Sequence, residues 1–321
     1  MLNRKGDYMN KPKVIFMGTP IFATNILKAL IENTDVVLVV SQKDKYVGRK
    51  HILTPSPVKE LAMASGIEVF TPDKIRDDYE IIERINPDLI VTCAYGQILP
   101  EGVLNASKIA SINVHASLLP KYRGGAPIHR AIMNGETETG ITIMYMDKGM
   151  DSGDIIKKEV VKIEDSDNLE TLSSKLSQVG SKLLIDVIPS IMNGTNERIK
   201  QNEEEVSFAN IIKKEDELLD FNKTSREVFN HIRALNPSPG AYFTLGEDII
   251  KVYESRISDS KANPGEIKNI YKDGIGIGTM DGEIVITKIK PAGKKIMLMK
   301  DYLNGVNKKE LIGRKVNERE S

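Results

Sequence analysis

Hydrophobic positions along this chain change their period twice, and each change marks a change of architecture. Residues 13–17, 35–41 and 89–93 hold short, nearly unbroken apolar runs, the pattern of strands buried on both faces. At 112–115, Ile112 and Val114 alternate with Asn113 and His115, so that strand has an apolar face and a polar one. Residues 69–70 add a further short strand. Between these runs, Phe22, Ile26, Leu27 and Leu30 recur at helical spacing. Residues 56–65 predict a helix with Pro57 in its first turn, where a missing N–H costs nothing, and 78–85 predict another. Strands alternating with helices at this spacing predict a parallel α/β sheet. Its ligands would sit beyond the carboxyl ends of the strands, where Gly18, Tyr95-Gly96 and His115 gather.

Residues 142–146 and 154–162 predict two strands flanking a turn. Leu169, Leu172, Leu176, Val179, Leu183 and Val187 then follow a helical period that ends near Pro189. The stretch 193–206, NGTNERIKQNEEEV, is polar and nearly coreless, which predicts a linker. Beyond it the period shortens. After a helix at 225–235 come AYFTL, IIKVYES, GEIKNIY, GIGIGTM and EIVITKI, several separated by turn residues. Five short strands predict a small OB-like β-barrel, a common nucleic-acid binder. The expected organisation is thus residues 1–192 as one domain, 193–206 as linker and 207–321 as the second domain.

Composition narrows the possibilities. The 321 residues carry 45 Lys and Arg against 45 Asp and Glu, so overall charge gives no nucleic-acid signal. From residue 206 onward the balance is 20 against 17, too even to carry an RNA claim alone. The single Cys93 excludes an internal disulfide and, within LIVTCAYG, reads as a small buried thiol. Four histidines and one cysteine show no spaced metal-ligand cluster, so no metal is expected. No apolar run reaches the ~20 residues of a membrane span, and residues 1–13 lack a signal-peptide core. A cytoplasmic protein, a monomer without membrane attachment, is expected, with Met9 an alternative start.

The chemistry concentrates in SINVHASLLPKYRGGAPI, residues 111–128. Asn113 and His115 point the same way from one strand, roughly 7 Å apart at about 3.3 Å per residue. An amide donor beside an imidazole suits a carbonyl that becomes tetrahedral, because both can stabilise an oxyanion and the ring can exchange a proton. A strand-end histidine can equally be a satisfied core residue. In the glycine turn GMDSGD, Asp151 and Asp154 either make Asx-type turn bonds or send one carboxylate to the imidazole. Ser117 lacks a GxSxG elbow and sits too close to His115 for a serine triad. The Gly18 turn is not GxGxxG, which weakens a dinucleotide site.

These segments, with ETGITIMYMDKGMDSGDI, VIFMGTPIFA, PSPVK, AYGQILP and RALNPSPGAY, resemble the folate-dependent formyltransferases across most of the chain and in the family's order. The resemblance implies a Rossmann-like parallel-sheet formyltransferase domain followed by the OB-like one. It implies Asn113, His115 and Asp151 as the catalytic trio, with Asp151 keeping His115 charged, and leaves Asp154 structural. It implies 10-formyltetrahydrofolate as formyl donor, lying against Ser117, Leu118, Leu119, Pro120, Ile98 and Leu99. GTPxFA, PSPVK and the C-terminal half resemble the members that formylate methionyl initiator tRNA. There the basic segment 42–51 would enter the acceptor end, with Arg49 in the place of the family's loop arginine and Lys43, Lys45 and Lys50 beside it. By composition alone that segment is a solvated charge run. The alternatives are an amino-sugar formyltransferase on the same catalytic domain, or a catalytically silent folate- or tRNA-binding module.

Overall fold

The structure, a computed structural model, describes residues 11–48 and 50–318. The alternative start at Met9 and the loop arginine Arg49 lie outside the described residues. The chain divides into two compact units. One reaches Pro127 and includes Thr139–Lys162 and Ser173–Ala209; the other holds Ile128–Glu138, Ile163–Leu172 and Asn210 onward.

The first unit is built on a seven-stranded sheet. Its opening β-α-β runs β1 (Lys13–Gly18), α1 (Thr24–Asn33) and β2 (Asp35–Val40). A hairpin follows, β3 (Lys45–Val47) and β4 (Ile52–Thr54), then α2 (Pro57–Ala64) and β5 (Val69–Phe70). Next come α3 (Glu80–Ile85), β6 (Leu89–Cys93), α4 (Glu101–Leu104) and β7 (Ala110–His115). The chain continues with α5 (Pro127–Met133), which falls almost wholly in the second unit, then β8 (Glu138–Tyr145), β9 (Ile155–Lys162) and α6 (Leu169–Met192), which belong mostly to the first. The strand order is β5-β2-β1-β6-β7-β8-β9, parallel from β5 to β7 and turning antiparallel where β8 joins β7. The sheet is therefore mixed at one side, where the sequence predicts a parallel one.

The apolar runs explain the middle of this sheet. Val14, Ile15, Phe16 and Met17 of β1, and Leu89, Ile90 and Val91 of β6, have no exposed surface, as expected of strands covered on both faces. Gly18 ends β1 where a Cβ would press on the Phe16 ring and Cys93 C=O. Past it, Thr19 Oγ1 and Gln42 Nε2 both donate to Tyr95 C=O at 3.0 Å, tying together the carboxyl ends of β1, β2 and β6. Ser56 caps α2 by accepting from Lys59 N–H at 3.1 Å, and Pro57 takes its first turn. Helix α6 differs from expectation, running three residues past Pro189. Proline removes one donor but has a helical φ, and its carbonyl still accepts from Asn193 N–H at 3.2 Å.

The second unit contains α7 (Ser225–Ala234) and the strands β10 (Tyr242–Leu245), β11 (Asp248–Ser258), β12 (Ile267–Ile270), β13 (Ile275–Gly278) and β14 (Glu283–Pro291). All five expected strands form, in the antiparallel order β10-β11-β14-β13-β12. A short β15 (Met297–Leu298) adds to β14. Register shifts in β11, at Val252/Glu254 and Glu254/Ser255, let the sheet curl into a small barrel-like layer. Thr224 and Glu227 form a capping box at α7, whose Val228 and Ile232 pack on Phe243, Val252 and Ile286. Among the described residues, no helix is long and apolar enough to cross a membrane.

Candidate active site

Strand β7 carries Asn113 and His115 to the carboxyl side of the sheet, and the turn between β8 and β9 folds back over them with Asp151. The Asp151 carboxylate is where the trio meets. Its Oδ1 accepts from Asn113 Nδ2 at 3.4 Å, and its Oδ2 lies 3.6 Å from His115 Nδ1. Oδ2 also accepts from Gly124 N–H at 2.8 Å. The other ring nitrogen of His115, Nε2, is 3.0 Å from Tyr122 C=O. A carbonyl only accepts, so Nε2 carries a hydrogen and Nδ1 is the nitrogen that faces the carboxylate. His115 is buried, whereas the Asp151 side chain keeps 18% of its surface exposed, so the cluster opens to solvent on the carboxylate side.

The amide of Asn113 is oriented from behind. Thr92 Oγ1 donates to Asn113 Oδ1 at 2.9 Å, which turns the NH2 end toward Asp151. Thr92 sits in the apolar run LIVTC of β6, and nothing in the sequence separates it from a core threonine. Its neighbour Cys93 is fully buried, and burial pushes its thiol up, which removes it as a nucleophile.

The GMDSGD turn is held from outside. Asp151 has a left-handed backbone, φ 51, and Gly153 lies where a Cβ would collide with Tyr145 C=O. Gln201 Nε2 donates to both Asp151 C=O and Gly153 C=O at 2.8 Å. Gln201 Oε1 accepts from Arg123 Nε at 3.0 Å and Nη2 at 2.8 Å, and Glu203 pairs with Arg123 Nη2 at 2.8 Å. The Arg123 guanidinium holds the Glu203 carboxyl below its ordinary range. The polar stretch 193–206 is thus engaged with this unit, Ile199 also pairing with Ile155, and just beyond it Ser207 and Ala209 bond the backbone around Arg123. Asp154 faces away, 3.3 Å from Arg198.

The residues expected to line a folate wall divide into two groups. Ile98 is 86% exposed, and Leu99 and Leu118 are partly exposed. Leu119 instead is wholly buried against Met144 and Ile155, its N–H donating to Thr142 Oγ1 and its C=O accepting from Lys158. Pro120 is buried as well, and the buried Ser117 donates its hydroxyl to Lys121 C=O at 2.6 Å. These three shape the loop from inside. The basic segment forms the β3–β4 hairpin, with Lys45 and Lys50 exposed and Lys43 paired to Asp73 at 2.5 Å. Tyr46, Val47, Ile52 and Leu53 are exposed on the same hairpin, an apolar surface that the flanking charges mask in the sequence. Among the described residues, no group of three or more His, Cys, Asp and Glu side chains could hold a metal ion.

The chain is also similar to known proteins over most of its length. The formyl transferase pattern matches residues 12–188, and the formyl transferase C-terminal domain pattern matches residues 211–307. A methionyl-tRNA formyltransferase from Macrococcus caseolyticus is 50% identical over 308 residues, covering 95% of this chain and 99% of that protein. One from Staphylococcus aureus is 48% identical over 309 residues, with the same coverage. Among solved structures, an N-formyltransferase from Helicobacter canadensis, in complex with folinic acid and dTDP-3-aminofucose, superposes with a TM-score of 0.65. It is 25% identical and covers 86% of this chain and 98% of its own. With the amide, imidazole and carboxylate gathered at the end of β7 and both domain patterns matched in order, this chain belongs to the formyl transferase family.

Proposed function

We propose that this enzyme transfers the formyl group of 10-formyltetrahydrofolate to the amino group of methionyl initiator tRNA, in the cytoplasm, at Asn113, His115 and Asp151. The observation that carries the chemistry is the Asp151 carboxylate, reached by both Asn113 and His115. The acceptor assignment rests on kinship of about half the residues over nearly the whole chain with proteins of that activity.

The methionyl nitrogen attacks the formyl carbon, a tetrahedral oxyanion forms, and the bond to the folate nitrogen breaks. Asn113 Nδ2 and the protonated ring of His115 stabilise the developing charge. Asp151 faces Nδ1 of that ring, and its exposed edge can relay the proton from the attacking nitrogen to the departing one through a water. Exposed Ile98 and partly exposed Leu99 and Leu118 offer apolar surface for the flat pterin, on a loop shaped by Ser117, Leu119 and Pro120. Lys45, Lys50 and Arg49 supply cations for the acceptor-stem phosphates, and the second domain supplies further contacts along the tRNA. To test the assignment, purified protein is offered 10-formyltetrahydrofolate with methionyl initiator tRNA or with a nucleotide-linked amino sugar, and the formyl group is followed. Formylation of the sugar in preference to the tRNA would overturn it.

A further inference from the structure

Gln201 lies in the stretch that reads as a connector, yet its single amide makes four hydrogen bonds within the first unit. Nε2 donates to the carbonyls of Asp151 and Gly153, and Oε1 accepts twice from Arg123. A primary amide has two donor hydrogens and two acceptor lone pairs, and all four are used. The partners fix its orientation, because a guanidinium only donates and a carbonyl only accepts.

The contacts close a circuit. Arg123 leads directly into Gly124, whose N–H holds the Asp151 carboxylate at 2.8 Å. Asp151 is thereby gripped at its side chain by one end of the circuit and at its backbone by the other. It needs this grip. A left-handed backbone, φ 51, is disfavoured for a residue with a Cβ and persists where surrounding structure enforces it. Gln201 is half-buried, brings no group to the reacting atoms, and comes from a segment without catalytic residues.

We propose that Gln201 is a positioning residue for formyl transfer, fixing the Asp151 turn so that the carboxylate faces His115 Nδ1 and Asn113 Nδ2. This rests on the reading of those three residues as the catalytic trio. A displacement of the carboxylate by about 1 Å can cost on the order of 100-fold in rate.

The test compares Gln201→Glu, Gln201→Ala, Asp151→Asn and the two double variants in the full-length chain, with kcat, donor KM and the pH profile of kcat measured per folded enzyme. Glu keeps the length and still accepts from Arg123, but its ionised carboxylate offers no donor to the two carbonyls. Both Gln201 variants should lower kcat by about 10- to 100-fold, shift its pH profile and leave donor KM little changed. In the Asp151→Asn background the same changes should add little, since they act through that carboxylate. Gln201→Glu decides the matter should Gln201→Ala fail to fold. Near-normal kcat for Gln201→Glu, or losses that multiply in the double variants, would overturn the proposal. Near-normal turnover of Asp151→Asn would instead overturn the catalytic reading beneath it, and this proposal with it.

Discussion

Replacing Thr92 with valine removes one hydroxyl and keeps the side chain's shape. That hydroxyl donates to Asn113 Oδ1 at 2.9 Å from a position 4% exposed to solvent. Without it, the Asn113 oxygen loses the donor that distinguishes it from the nitrogen. The contact left to orient the amide is Nδ2 to Asp151 at 3.4 Å, long for an N–H···O bond. A lost hydrogen bond of about 1 to 1.5 kcal/mol shifts the ratio of correct to flipped amide by about 5- to 13-fold. A flipped amide presents an acceptor to the developing oxyanion and does not turn over. The ceiling is complete loss of an oxyanion donor, about 100- to 1000-fold. Thr92→Val should therefore lower kcat, by at most about 5- to 13-fold if the flipped amide comes to dominate, and stability by about 1 to 2 kcal/mol, with donor affinity unchanged. Single-turnover formyl transfer at saturating substrates measures the first, and urea unfolding the second. An unchanged kcat alongside the expected stability loss would show that Asp151 alone orients the amide and refute the reasoning.

Asn113→Ala and His115→Ala should each lower kcat at least about 100-fold with much smaller changes in folate affinity, read by steady-state kinetics and a folate titration. Near-normal turnover of either would remove that residue from the mechanism. Arg49→Leu should reduce kcat/KM for charged tRNA while folate binding is kept. Lys43→Ala should matter least, since Lys43 already pairs with Asp73; unchanged tRNA kinetics for Arg49→Leu would reduce the hairpin to a solvated charge run. Burial holds the His129 imidazole down to about 4, against an ordinary 6.5. Between those values the unfolded chain takes up a proton that the folded chain does not, so stability falls as pH drops from about 6.5 to about 4, by up to about 3 kcal/mol. His129→Gln should flatten that part of the curve in urea unfolding against pH, and identical curves for the two proteins would show a solvated ring.

Much of the fold was legible because its signals are local. The unbroken apolar runs of β1, β2 and β6 and the alternation in β7 are read directly from neighbouring residues, as are the five strands after Ala241. So is the shared face of Asn113 and His115. Asp151 could be set apart from Asp154 only through family resemblance, since either carboxylate of a glycine turn can reach a ring. The supports of the site were not legible. Thr92 looks like core, and Gln201 looks like solvated linker, because its partners Asp151 and Arg123 lie 50 and 78 positions earlier. Leu119 shows another limit: beside His115 it reads as ligand wall, and nothing in the sequence announces that its side chain is wholly buried against Met144 and Ile155. The mixed sheet was hidden too, since β8 gives the same apolar signal whichever way it runs.

The way Ile199, Gln201, Ser207 and Ala209 fasten onto earlier parts of the first unit has a consequence for synthesis. A nascent chain has all three side chains of the proposed trio once residue 151 is made. The residues that clamp their turns arrive roughly 50 to 60 positions later, several seconds at about 5–20 residues per second. Until then the chain carries the proposed trio with its inner supports, Thr92, Tyr122 and Gly124, but without the outer ties, which come from the last residues of the first unit.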